Sequence, residues 1–407
     1  MKAYSFLVVM TLLLVASMVV MIGCEYDVAE PQWYKPFSEA ATLRITQIEP
    51  ASEARPGVNT ITIRGENFAA PPDSNDAYFD NQRAEILSTS STSITVRRPN
   101  LVDDSVFIKV VSNKALVVAK FGPYKIYPVS QRNGAFRDNI ALNALAVDNG
   151  DNLYVVYGDS STPRIFRVTP DEQRILVARA SRLPTDGRFG PDGRLYLLSN
   201  NRAIDVVDVQ AGTAAQWLRL PSGRIVKAGD FDANGYFYVG GTRSDLVVIA
   251  PDLTVRTAGI YASDDILAVR VYGGYLFVAS RVPTTGGQPP APGSIWKHQI
   301  DASGNVGPKE LVLDMSATAF ASRTIAAITF SADGTMYIGT NSSDPILVFN
   351  PTTGTVDYFY KNILPPYCKN FYWGRGTYLY MLSGNVNPAQ EWTVYRVDMG
   401  TAGAPYY

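Results

Sequence analysis

The sequence predicts an all-β protein, a β-sandwich followed by a six-bladed β-propeller, and three observations predict it. A run rich in β-branched and aromatic residues recurs six times, at 152–156, 194–198, 236–240, 275–279, 335–339 and 378–382. Each run follows a tight-turn signal: Asn149-Gly150, Asp192-Gly193, Asn234-Gly235, Gly273-Gly274, Asp333-Gly334 and Arg375-Gly376. Such pairs close hairpins because they tolerate positive φ. The aromatic positions Tyr154, Tyr196, Tyr238, Phe277, Tyr337 and Tyr380 are 42, 42, 39, 60 and 43 residues apart, and a period near forty means one four-stranded blade per repeat. Finally, the 407 residues include 32 Gly, 26 Pro and 24 Tyr, a composition of strands and turns rather than helices. A lone blade would expose two apolar faces, so blades are stable only when stacked, and a closed ring leaves no outermost face.

The chain begins with an export signal. Lys2 supplies the positive start and 6–22 is almost wholly apolar. At about 17 residues the run could span a membrane, but its terminal position and the polar sequence after Cys24 favour a cleaved signal peptide over 1–23. Met21-Ile22-Gly23-Cys24 resembles a bacterial lipobox, which implies that Cys24 is lipidated and becomes the mature N-terminus. Residues 24–40, with Pro31 and Pro36, read as a tether. Only Cys368 then remains as a thiol, so no internal disulfide is expected. It is read as a small buried hydrophobe at the start of a strand.

Residues 41–128 alternate apolar and polar and are broken by turn residues. Strands are expected at 43–48, 60–64, 77–79, 83–87, 93–97, 106–111 and 124–127, which makes an immunoglobulin-like β-sandwich. Ile45-Thr46-Gln47-Ile48-Glu49-Pro50, Thr60-Ile61-Thr62-Ile63-Arg64-Gly65-Glu66-Asn67-Phe68, Tyr78-Phe79-Asp80 and Ser93-Ile94-Thr95-Val96-Arg97-Arg98-Pro99 resemble an IPT/TIG domain. The segment departs from that pattern at 52–56, in place of a Gly-rich turn, and at Asp80, where Gly is common. Both departures fall in turns and bear on loop geometry.

Residues 129–140 read as a linker and 141–407 as the propeller. The last repeat supplies three strands. Its fourth comes either from 403–407 or from the linker near Phe136, or is left open to a strand from another chain. The turn-then-Leu-Tyr pattern resembles NHL-type propellers, a group that includes gluconolactonase-like enzymes. That resemblance speaks to fold more than to function.

In such a ring the first strand of each blade lines the channel, and the loops after strands two and four share one face. The long connections 281–293 and 383–392 both lie there. Asn143, Asp186, Lys227, Asp265, Arg323 and Lys369 stand at or just before the first strands and are candidates for the channel mouth. Tyr157, Tyr261, Tyr367 and Trp392 fall in loops of the same face, where flat aromatic surface beside polar groups suits sugar rings or protein.

Other chemistries lack their residues. Lys and Arg number 36 against 37 Asp and Glu, so no charge excess points to nucleic acid. One histidine, His298, in an outer strand where half-exposure is expected, supports neither a histidine metal site nor a triad. Asp230, Asp232, Asn234 and Gly235 match half a calcium loop, yet Gly241 stands where Glu is required. No cofactor is expected, with calcium the one candidate. The sequence thus points to a non-catalytic, lipid-anchored protein of the bacterial cell envelope, outer membrane or cell surface, whose propeller binds polysaccharide or a protein partner. It resembles the TIG-containing glycan-binding lipoproteins of polysaccharide uptake. The alternatives are a metal-dependent lactonase built on Asn143, Asp186 and Asp265, and a structural envelope subunit.

Overall fold

The turn before each aromatic run does more than reverse the chain. In blade 1, Asp148 Oδ1 accepts from the backbone of Gly150 (2.8 Å) and Asn152 (2.9 Å), while Oδ2 accepts from the Tyr154 hydroxyl (3.1 Å). Asp192 and Asp232 bond Tyr196 and Tyr238 in the same way, at 2.7 and 3.2 Å. Blade 4 has Gly273-Gly274 in its turn and Phe277 in its strand, and so lacks donor and acceptor together. The Asp and Tyr of blades 1 to 3 are therefore one device that ties the turn to the second strand.

The computed structural model describes residues 42–113, 115–136, 140–158, 161, 163–284, 291–384 and 391–407, together with residue 10. The predicted signal peptide, Cys24 and the tether otherwise lie outside the described residues. Blade 1 consists of Leu142–Val147, Leu153–Tyr157, Arg164–Val168 and Arg174–Arg179. The first strands of blades 2 to 6 are Asp186–Phe189, Ala228–Phe231, Asp265–Tyr272, Ile325–Phe330 and Cys368–Trp373. Each packs on the first strands of its neighbours, and blade 6 returns to blade 1. Apolar residues fill the spaces between blades, for example Tyr154 against Phe189 and Tyr196 against Phe231, each with ring centroids 5.0 Å apart.

The ring closes through the segment expected to be linker. Ser130–Asn133 pairs antiparallel with Thr393–Asp398, with Ser130 opposite Val397, and supplies the outer strand of blade 6. Residues 403–407 do not provide that strand, and blade 6 has no vacancy for a strand from another chain.

The sandwich packs a sheet of Arg44–Glu49, Thr60–Glu66, Ser93–Arg97 and Ile86–Thr89 on a second sheet that contains Asp103–Ser112 and Ala119–Ile126. The single strand expected over 83–87 is two: Gln82–Arg83 belongs to one sheet and Ile86–Thr89 to the other. Glu53–Ala54, inside the expected turn at 52–56, pairs parallel with Lys125 and Ile126. The sandwich sits against the outer edge of blades 5 and 6. Arg97 makes a two-pronged ion pair with Asp357 (2.7 and 3.2 Å), and Asn59 bonds the Tyr358 carbonyl (2.8 Å) and the Tyr360 amide (2.9 Å). The fully buried Tyr360 hydroxyl reaches both the Gly57 amide and the Asp398 carbonyl.

Candidate functional site

The residues facing the channel fall into layers set by strand register. Opposite the recurring aromatic of the second strand stand Ala146, Arg188, Asp230, Arg270, Thr329 and Tyr372. Side chains two residues apart share a face of a strand. Two residues towards the mouth, that face carries Asp186, Ala228, Ala268, Ala327 and Asn370. Alanines in the upper layer leave room that long side chains fill in the lower one.

The lower layer is closed. Arg270 Nη1 pairs with Asp230 at 2.9 Å and Arg188 Nε lies 3.5 Å from the same carboxylate. The C-terminal residues cross beneath them. Tyr406 stacks on Tyr372 (4.0 Å between centroids), lies 3.8 Å under the Arg270 guanidinium and accepts from the Trp373 amide (3.1 Å). Arg270 Nη2 donates to the carbonyls of Ala404 (3.1 Å) and Pro405 (2.8 Å). A cation this deep requires such partners. The segment considered as a possible blade strand is instead the plug of the channel.

Above this floor opens a cavity of about 450 Å³, within the range of roughly 300–1,000 Å³ for small-ligand sites. Five of the sequence-predicted residues meet there: Asp186, Lys227, Tyr367, Lys369 and Trp392. β-Bulges contribute to this. The pairing of first and second strands slips between Ile266 and Ala268, Ile325 and Ala327, and Cys368 and Asn370. The extra residues Leu267, Ala326 and Lys369 all line the cavity, as bulges re-aim side chains.

Asp186, at the cavity floor, accepts from Gly187 N (2.9 Å), Arg188 (3.1 Å), Asn370 Nδ2 (2.9 Å) and Gly229 N (3.3 Å). Burial outweighs these contacts and raises its pKa above the ordinary carboxyl value. Lys369 Nζ donates to the Leu142 carbonyl (2.9 Å) and Asn143 Oδ1 (3.2 Å) and lies 4.6 Å over the Trp392 ring. Burial lowers its pKa to about 8. Lys227 is also lowered by burial, against the pull of Asp265. Gly384 leaves the space that the indole needs, since a Cβ there would sit 2.2 Å from Trp392 Cε3.

The other candidates stand elsewhere. Asn143 lies behind Lys369 and also bonds the Gly158 carbonyl at 2.9 Å. Asp265 is held by Arg281 (3.6 Å) and the Arg243 amide (3.1 Å). Arg323 turns away to the carbonyls of Ser343 and Asp344, at 2.7 and 2.8 Å. Tyr157 is buried against Phe136 and Phe166. Tyr261 is 1% exposed, and its hydroxyl lies 2.7 Å from Nε2 of His298. That histidine is fully buried, not half-exposed, with Nδ1 2.9 Å from the Gly307 carbonyl. Burial lowers its pKa; Nδ1 carries the proton and Nε2 accepts from Tyr261.

Of Asn143, Asp186 and Asp265, only Asp186 lines the cavity. Among the described residues no three His, Cys, Asp or Glu gather as metal ligands. In the half-matched calcium loop Asp230 serves Arg270, while Asp232 caps its own turn through the amides of Asn234 (2.9 Å) and Tyr236 (2.8 Å). Arg188, Arg281, Asn341 and Asn370 also line the cavity and were not singled out from sequence. The charged member of the inner strand opposite each aromatic was the signal for Arg188.

Residues 43–124 match the IPT/TIG domain. No characterised protein sequence matches the chain. Among solved structures, an auxiliary nutrient binding protein from Bacteroides thetaiotaomicron is similar over 87% of this chain and 98% of its own, at 11% identity and TM-score 0.51. A gluconolactonase assigned from its protein family is similar over 68% of this chain and 94% of its own, at 14% identity and TM-score 0.51. A luciferin-regenerating enzyme covers 69% of this chain and 98% of its own, at 13% and 0.51. At these identities the likeness is one of fold: a propeller, and in the first case a layout that extends over the TIG domain.

Proposed function

We propose that this chain is a non-catalytic binding protein that takes a segment of polysaccharide at the mouth of its propeller, and that a lipid on Cys24 holds it at the cell envelope. The observation that carries this reading is the one-ended cavity. The plug around Tyr406 closes the far end, and Trp392 and Tyr367 stand at the open end beside amides and ammonium groups. A flat aromatic rim offers a sugar ring its apolar face while polar groups take its hydroxyls. The carboxylate at the cavity floor, Asp186, is engaged by four donors, which suits a fixed wall better than a general base. An auxiliary nutrient binding protein with this layout is consistent with the reading.

The test is a binding screen of the full chain in detergent against a polysaccharide panel, with and without calcium, beside a Trp392→Ala, Tyr367→Ala double variant. Binding lost in a folded double variant supports the proposal. Binding that survives it moves the site away from the mouth, and a folded protein that binds no glycan turns attention to a protein partner. Lipidation is tested separately: labelled palmitate enters the wild type and not Cys24→Ala.

A further inference from the structure

The ionised groups of the channel do not balance. Arg188 and Arg270 share Asp230, Arg188 also meets Asp186, and Arg281 meets Asp265. Lys227 and Lys369 remain. Neither forms an ion pair within 4.0 Å among the described residues, and both are half-buried in the cavity wall. Among the described residues Lys369 has a carbonyl, an amide oxygen and the Trp392 ring for partners, none of them an anion. Lys227 Nζ makes no hydrogen bond among the described residues. Lys227 feels Asp265, which Arg281 already holds; half-buried ammonium groups without a paired anion are costly, and the cost is relieved when a ligand brings one.

We infer that the ligand of the mouth is an anionic sugar, with a carboxylate or sulfate seated between Lys227 and Lys369 and the ring lying on Trp392. This rests on the polysaccharide reading above and names its chemical class. Geometry sets the roles. Lys369 lies over the indole face at 4.6 Å, so a ring stacked beside it brings an equatorial acid group within reach of the ammonium. The Asn370 amide, already bonded to Asp186, and Asn341 are left to serve neutral hydroxyls. The same two lysines set the mouth apart from a divalent-metal site, which collects carboxylates instead.

The experiment compares three probes by calorimetry on the full chain: a galacturonate trisaccharide, its neutral methyl ester, and a sulfated galactose trisaccharide. One or both anionic probes are expected to bind at least tenfold tighter than the ester, and which of them does so tells carboxylate from sulfate. Lys227→Met and Lys369→Met are each expected to remove roughly tenfold of that preference, and Lys369→Arg to restore most of it. Added salt is expected to weaken the anionic probes and spare the ester. If the ester binds as well as both acids, or the two Met variants keep the preference while folded, the inference is overturned. Equal binding of all three probes that is lost in Trp392→Ala would overturn it and leave the polysaccharide reading standing. Failure of all three to bind the folded protein overturns both.

Discussion

The two ends of the channel are built from the same six strands and reach opposite electrostatic states. At the plugged end Arg188 and Arg270 converge on Asp230, and aromatic rings and tail carbonyls surround them, with the two Nε atoms lacking a hydrogen-bond partner among the described residues. At the open end Lys227 and Lys369 are drawn out of water with no carboxylate within 4.0 Å among the described residues. The first arrangement is what a folded chain needs for itself. The second is left incomplete, and that is the ground on which a ligand is proposed there.

Breaking the plugged end should have the largest effect. Asp230→Ala strands two buried arginines and is expected to cost about 3–5 kcal/mol, read as a lower urea midpoint at unchanged slope; a loss under about 1 kcal/mol would mean that the floor is not held by charge. Tyr406→Ala removes the stack on Tyr372 and the ring under Arg270 and is expected to cost about 2 kcal/mol, measured the same way. At the open end the balance reverses. Trp392→Ala should shift stability by less than about 1 kcal/mol and weaken glycan binding roughly tenfold or more; a variant that unfolds readily would place Trp392 with the structural end instead.

The smallest effect separates the ends by pH. Lys369 has its folded pKa near 8 and an ordinary value of 10.5 when unfolded. Between these values the unfolded chain holds a proton that the folded chain has released, so folding stability gains as pH rises through this window and is level below it. The stability difference between wild type and Lys369→Met, followed from pH 7 to 10, should therefore move in favour of the wild type above pH 8. Parallel curves would show that this ammonium is not desolvated.

Much of this was legible in the sequence because hairpin turns and a forty-residue period are local signals. The blades, and five of the residues at the mouth, follow from them. Direction is what the sequence withheld. Tyr261 occupies the loop expected of it and Tyr157 ends the second strand of blade 1 rather than standing in a loop, yet both point inward, because chain position fixes where a Cα lies and not which neighbour the ring will meet. Arg323 was misplaced for the same reason. The pairing of Ser130–Asn133 with blade 6 and the plug at Tyr406 join segments far apart in the chain, and no local pattern encodes a partner at that distance. Arg188, Asp230 and Arg270 were visible as charges in apolar strands, but only register shows that they stand at one level.

The closing strand has a consequence for how the molecule comes into being. Ser130 is synthesised early, and its partner Val397 is synthesised 267 residues later. At common elongation rates of about 5–20 residues per second, the first half of the seam waits some tens of seconds for the second. The plug is later still, since it is drawn from residues 404–406. A polypeptide released short of Thr393 would carry an intact sandwich and most of its blades, yet neither seam nor floor, and its open edges would be those of an aggregation-prone intermediate. Completion of the ring thus reports that synthesis has passed Asp398.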